Sequence, residues 1–406
     1  MTGPPKAEGR LHVDDAANGV LPSQMLHQAV VAGHVDGGDF KIPESSIQPA
    51  SIDLRLGEVA YRIRCSFLPG TDSVEHKVRD YIIDELDLRR DGAVLETNRP
   101  YLIPLIEQLA LPRAVRGRTN PKSSTGRLDV FTRVITDQSH RFDEIAPGYR
   151  GRLYLEVVPL SFTVRVRQGL PLNQLRLLAG RAALDDSALR EVHARSPILF
   201  RSGAPVPEQD VALSDGLFLG LDLIGGAGGR VGHRAKAYAP LLDMGQVGAY
   251  HPGDFWEPVQ REDGDRIVLV PGRFYLLLSD ESVVVPPALA AEMTAYDPTS
   301  GELRTHYAGF FDPGFGYDPS GELNGSRAAL EVRAHDVPFM IEHGQRVCKL
   351  TFEHMLEPPE KLYGSAIGSN YQGQDETLGK HFGRGSVPPD CTDPLKGTSA
   401  TCPSPG

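Results

Sequence analysis

The chain of 406 residues predicts an all-β fold carried in two tandem copies, with only a few short helices. Three observations lead there. Laid on itself, the sequence repeats with a spacing of about 175 residues. Within each copy, short runs alternate apolar and polar residues: Leu153, Leu155 and Val157 in one, and Phe162, Val164 and Val166 between Thr163, Arg165 and Arg167 in another. Gly and Pro punctuate these runs, which favours antiparallel strands over βαβ units.

The repeat is visible in its landmarks. RPYLIPLIEQLALPRAV leading to NPKSSTGRL corresponds to GRFYLLLSDESVVVPPALA leading to YDPTSGEL, so Tyr101 matches Tyr275 and Pro112 matches Pro286. Further on, Glu156 falls opposite Glu331, Gly169 opposite Gly344 and Leu175 opposite Leu350. Helical signals are confined to residues 22–31 and to residues 182–194 (AALDDSALREVHA) between the copies. The expected organisation is a first domain at 20–178, a connector at 179–212, a second domain at 213–383, and a Pro-, Ser- and Thr-rich disordered tail at 384–406.

Composition narrows the function. A net charge of -11 disfavours nucleic acid as a partner. No apolar run is long enough for a bilayer and the first residues carry acids, so neither membrane insertion nor secretion is expected. Four cysteines at 65, 348, 391 and 402, without a C-x-x-C pair, fit free thiols in a cytoplasmic protein.

Against that acidic background, residues 112–128 hold Arg113, Arg116, Arg118, Lys122 and Arg127 and no acid. Lys122, Ser123, Ser124, Thr125, Gly126 and Arg127 offer cations, hydroxyls and backbone amides suited to a triphosphate. A solvated basic turn is the plainer alternative, and no Walker loop is present. The second copy reads Asp297-Pro298-Thr299-Ser300-Gly301-Glu302 at this place, with Glu302 where the first has Arg127, so only copy one suits an anion.

The second copy has its own speciality, a turn at residues 305–315 with Asp312 among aromatics, where copy one reads Ala146-Pro147-Gly148-Tyr149. Glu156 and Glu331 each interrupt an apolar strand, so each is either turned outward, paired, or a desolvated proton carrier. The glycine-rich run at 224–233 lacks dinucleotide spacing and reads as a bend. No H-x-E with P-C-x-x-C occurs, so the zinc machinery of better-known cytidine deaminases is not expected.

Taken in order, these motifs resemble the dCTP deaminase and dUTPase superfamily, and specifically its long bacterial two-domain dCTP deaminases. SSTGR at 123–127 resembles the S-S-x-x-R phosphate loop, AGFFDPGF at 308–315 the T-A-G-x-x-D-P-G-F turn, and ALE at 329–331 the glutamate strand. LYG at 362–364 and GSNYQGQ at 368–374 are similar to its closing segment. Asn370 stands where single-domain members carry lysine, Lys122 where they carry arginine, and residues 316–326 form an insertion.

The resemblance implies dUTPase-like β-clip or jelly-roll barrels that associate as a trimer or pseudo-trimer, with sites shared between neighbouring domains. It implies dCTP as substrate, deaminated to dUTP and ammonia, with Mg²⁺ riding on the triphosphate. Glu331, Ser123 and Arg127 take the catalytic roles, Glu331 as proton shuttle. Lys122, Ser124, Thr125, Gly126, Ala308, Gly309, Asp312, Phe315, Ala329, Leu330, Tyr363, Asn370 and Gln374 bind substrate, Asp312 at the 3′-hydroxyl and Phe315 against a 2′-hydroxyl. The loop of the first domain is expected to face the pocket of the second, giving one competent kind of site per chain. A bifunctional enzyme forming dUMP, a dUTPase, and a non-catalytic nucleotide-binding trimer are the alternatives.

Overall fold

The computed structural model describes residues 11, 13–295, 303–305, 309–320, 324–334, 336–364 and 377–383, with the backbone alone at 227, 295 and 303–305. The chain is dominated by antiparallel strands, and the duplication is visible in their pairing. In the first half, strand Tyr101–Ala110 pairs with Arg150–Pro159, which also pairs with Val130–Thr136. In the second half, Phe274–Val283 pairs with Ser326–Ala334. The register is the same in both: Glu156 lies opposite Leu102, and Glu331 opposite Leu276. A second sheet repeats as well, Pro171–Ala179 pairing with Val115–Pro121 and Arg346–His354 with Leu289–Ala295.

Alternation along these strands decides which side chains enter the core, because successive residues face opposite sides of a sheet. Leu153, Leu155 and Val157 fill the first core with Ile103 and Leu175, and Leu277, Leu330, Val332 and Leu350 fill the second. Each fully buried side chain of this kind contributes roughly 1.5–3 kcal/mol. The halves are not separate beads: Phe255, Trp256 and Phe382 join the first core, where Phe162 meets the rings of Phe255 and Trp256 edge-on at 5.5 and 5.2 Å. Strand Val164–Val166 of the first half also runs parallel to Leu242–Asp243 of the second.

Helices occur at Ser23–Val31 and Asp186–Arg195. The second starts at Asp185, whose carboxylate accepts from the Ala188 amide at 2.8 Å and so caps the first turn. Its Leu189 is buried in the second core with Ile198, Leu199, Val206 and Val211, so the stretch between the copies packs as part of the second half. Among the described residues, no helix is long and apolar enough to cross a membrane. The acids of residues 137–144 brace their loop. Asp137 accepts from the Val74 amide at 2.7 Å, and Asp143 accepts from Thr119 and the Val134 amide at 2.9 and 2.8 Å.

Candidate active site

The basic segment of the first half folds as a tight turn after strand Val115–Pro121. The Lys122 carbonyl accepts from the amides of Thr125 and Gly126 at 2.8 and 3.0 Å, and the Arg127 amide closes on Ser123 at 3.1 Å. This geometry leaves Ser123 exposed and turns the neighbouring side chains inward. Thr125 is fully buried, its hydroxyl donating to the Leu172 carbonyl at 2.8 Å, and Ser124 is buried too. Neither lines the cleft, whereas Lys122, Ser123, Gly126 and Arg127 do. The Gly126 amide, expected to be open to phosphate, is spent on the turn.

That turn faces the second half of the same chain. Lys122, Ser123, Gly126 and Arg127 share one cleft with Gly309, Asp312, Phe315, Ala329, Glu331 and Tyr363. Its volume is about 640 Å³ with the open solvent at its mouth included. Strand alternation explains the choice of residues: Ala329 and Glu331 point into the cleft while the Leu330 side chain between them is buried in the second core. Gly309 reaches the cleft through its pairing with Met293. Ala308, Asn370 and Gln374 lie outside the described residues, as do residues 296–302 and the tail at 384–406.

Glu331 is the group with the most unusual environment. It sits against Gly126, where an added Cβ would come within 2.5 Å of the Glu331 carboxylate, so only glycine allows this approach. Burial pushes its carboxyl up to about 8; Arg127 opposes that rise and Asp129 adds to it. Asp129 is itself fully buried and bridged to Arg333. Glu156, at the matching position of the first half, has a different fate. It is 0% exposed and tied to its cross-strand neighbour Arg133, Nη2 to Oε1, at 2.6 Å. Of the three readings open for such a glutamate, pairing holds for Glu156 and desolvation in a cleft for Glu331.

The turn of the second half is held by aromatic contacts. Phe311 meets Phe315 edge-on at 4.9 Å, and Tyr363 lies 5.7 Å from Phe315. The Tyr363 amide donates to Pro313 at 2.8 Å, and Gly314, at φ 97°, leaves no room for a Cβ beside the Tyr363 backbone. Beyond the residues expected from sequence, Pro121, Met293, Phe310, Phe311, Arg327 and Ala328 also line the cleft.

Other groups stand behind it. Lys122 is bridged to Asp53, whose carboxyl is raised by burial and held down by Lys122. Burial lowers the Lys380 ammonium, and Lys122 lowers it further while Asp53 opposes both. Lys380 therefore belongs to the same charge cluster. The segment 377–383 passes over the loop: the Thr377 carbonyl accepts from Arg127 at 3.1 Å, and the Thr377 hydroxyl is 2.8 Å from His233 Nδ1. Phe382 then inserts between Phe255 and Trp256, at 5.5 and 5.9 Å. Asp53 was findable as an acid within the run SIDLRL; Lys380 carries no such signal.

For a resident metal, the described residues gather Asp222, Asp280 and His343, with ligand atoms within 4.8 Å of one another. Their carboxylates already hold arginines, Arg327 on Asp222 at 2.5 Å and Arg201 on Asp280 at 2.9 Å, which accounts for the cluster without an ion.

Comparison with known proteins agrees with the division into two halves. Residues 17–181 match the profile of the 2′-deoxycytidine 5′-triphosphate deaminase (DCD) N-terminal domain, and residues 185–382 that of the C-terminal domain. The crystal structure of 2′-deoxycytidine 5′-triphosphate deaminase from Agrobacterium tumefaciens superposes with a TM-score of 0.79 at 43% identity, covering 85% of this chain and 100% of that one. The "dCTP deaminase, dUMP-forming" of Halobacterium salinarum is 36% identical over 118 residues, 28% of this chain and 55% of its own length. That of Corynebacterium glutamicum is 36% identical over 120 residues, 29% of this chain and 59% of its own length. The chain thus spans little more than half the length of these curated relatives. By its two matched domains and its match to a solved member along most of its length, the chain belongs to the 2′-deoxycytidine 5′-triphosphate deaminase family.

Proposed function

We propose that the chain deaminates dCTP hydrolytically, giving dUTP and ammonia. The observation that carries this reading is Glu331: a carboxyl held at about 8 in a cleft, against the glycine of a cationic loop. Such a group exchanges protons readily near neutral pH and suits both halves of an addition and elimination. Water attacks C4 of the cytosine while Glu331 takes its proton and delivers it to N3. The C4–N bond then breaks as the proton of the new C4 hydroxyl passes through Glu331 to the amino group, and ammonia leaves with a carbonyl formed at C4.

Ser123 and Arg127 would orient the water and Glu331, with Lys122 and Arg127 on the phosphates. Asp312 would accept from the 3′-hydroxyl, and Phe315 would crowd out a 2′-hydroxyl. The backbones of Gly309 and Ala329 would read the base edge. Among the described residues, the carboxylates lining the cleft are Asp312, engaged by Arg176, and Glu331; Mg²⁺ would arrive as part of the nucleotide and neutralise its phosphates.

A second reading has support of its own: relatives named "dCTP deaminase, dUMP-forming" share the matched segment. The test is incubation of the purified protein with dCTP and Mg²⁺, with ammonia assayed and nucleotides resolved by anion exchange. Equal amounts of dUTP and ammonia are expected. Matching dUMP, diphosphate and ammonia would establish the second reading, and nucleotide bound without ammonia would overturn both.

A further inference from the structure

We propose that Arg176 is a positioning residue, a first-half arginine that aims the second-half carboxylate Asp312 at the nucleotide sugar. The proposal deepens the reading above and rests on it. Arg176 is 0% exposed, comes from strand Pro171–Ala179, and does not line the cleft. Its guanidinium reaches across to the second half. Nη2 donates to Asp312 Oδ1 at 3.1 Å, and Nη1 donates to Glu353 Oε2 at 3.2 Å and to the Ala291 carbonyl at 3.0 Å. The guanidinium carbon lies 4.0 Å from the centre of the Phe310 ring. Asp312 and Phe310 both line the cleft, so Arg176 holds its wall from behind.

The chemistry requires such a partner. A carboxylate buried without a cation gives up its charge or turns toward water, and either outcome removes a fixed acceptor for a hydroxyl. One planar guanidinium can serve Asp312, Glu353 and a carbonyl at once; an ammonium cannot match that fork. The contact also has a direction. At the repeat spacing, Arg176 corresponds to Thr351 and Glu353 to Leu178, and the matching turn of the first copy, Ala146-Pro147-Gly148-Tyr149, has Ala146 where the second has Asp312, so the reverse pairing of halves contains none of these charges. Sugar recognition is thereby tied to one particular pairing of the two copies.

The test compares dCTP with 2′,3′-dideoxycytidine 5′-triphosphate, which lacks only the 3′-hydroxyl, in the full-length wild type, Arg176→Met, Arg176→Lys, Asp312→Asn and the Arg176→Met/Asp312→Asn double variant. The readout is the ratio of kcat/KM for the two nucleotides. In the wild type the ratio should favour dCTP by roughly tenfold or more, since a site built to bond a hydroxyl rejects the analogue lacking it. Arg176→Met and Asp312→Asn should each bring the ratio close to one, the double variant should go no further, and Arg176→Lys should fall between. Glu353→Gln, which spares the Arg176–Asp312 contact, should keep the wild-type ratio and supplies the control if Arg176→Met does not fold. A wild-type ratio near one, or Arg176 variants that lose activity on both nucleotides equally, would overturn the proposal. If the wild type releases no ammonia from dCTP, the deaminase reading fails on its own, and the same ratio is then read from the Kd values of the two nucleotides by calorimetry.

Discussion

Replacing Glu331 with Gln keeps the shape of the side chain and removes its titration. In the folded protein the carboxyl is held at about 8, against an ordinary value of 4.5. The folded state therefore binds the proton more tightly than the unfolded chain does. Below pH 4.5 both states are protonated and the group contributes nothing. Between pH 4.5 and about 8 the unfolded chain sheds the proton first, so wild-type stability falls as pH rises, and above that it stays low. At about 1.4 kcal/mol per pH unit the interval sets a ceiling of roughly 5 kcal/mol, and water at the open side of the cleft reduces it to roughly 2–3 kcal/mol. Glu331→Gln escapes this penalty. Denaturant unfolding of both proteins at pH 4, 7 and 9 should show nearly equal stability at the lowest pH and an advantage of about 2–3 kcal/mol for the variant at the highest. The other buried carboxyls are common to both proteins and cancel in the difference. A constant offset across pH, or a variant less stable at pH 9, would refute the desolvated carboxyl on which the catalytic reading depends.

Other outcomes follow from the same geometry. Glu331→Gln and Arg127→Ala should each lower kcat for ammonia release by roughly 100-fold or more, because each removes a group at the reacting centre; Glu156→Gln should keep most of the activity, and a comparable loss there would reverse the assignment of the two copies. Lys122→Ala and Lys380→Ala should each raise the KM for dCTP by roughly tenfold, about 1.4 kcal/mol, and weaken its dependence on salt, as measured by initial rates at two ionic strengths. Arg118→Ala strips one cation from Glu292 and Glu353 at the seam between the halves. Breaking a buried ionic network in this way should cost roughly 3–5 kcal/mol in denaturant unfolding.

Much of this architecture was legible in the chain because its signals are local or periodic. Alternation at Leu153, Leu155 and Val157 and the repeat spacing together place Glu156 and Glu331 at one register position, which the strand pairing reproduces. The cationic run around Lys122 and Arg127 stands out in an acidic protein, and Glu302 in place of Arg127 sets the other copy apart from it. What escaped is set by contacts between distant residues. Lys122 and Asp53 are 69 positions apart, Arg176 and Asp312 are 136 apart, and Arg127 and Thr377 are 250 apart. Arg176 was still visible as an unpaired charge in the apolar run LNQLRLLAG, where burial requires a partner. Thr125 and Leu330 sit inside the expected motifs, and the turn and the strand direct their side chains into the protein, which the motifs alone do not reveal.

The central feature of the account is a site completed within one chain, from the loop of the first half and the pocket of the second. Co-expression of Arg127→Ala and Glu331→Gln chains tests it most directly, with ammonia release from dCTP measured on the purified mixture beside wild type. If each site draws both halves from one chain, every site in the mixture carries a lesion, and activity should stay at the level of the separate variants. Recovery of a substantial fraction of wild-type activity would contradict the account, because it requires an intact loop from one chain to meet an intact Glu331 from another.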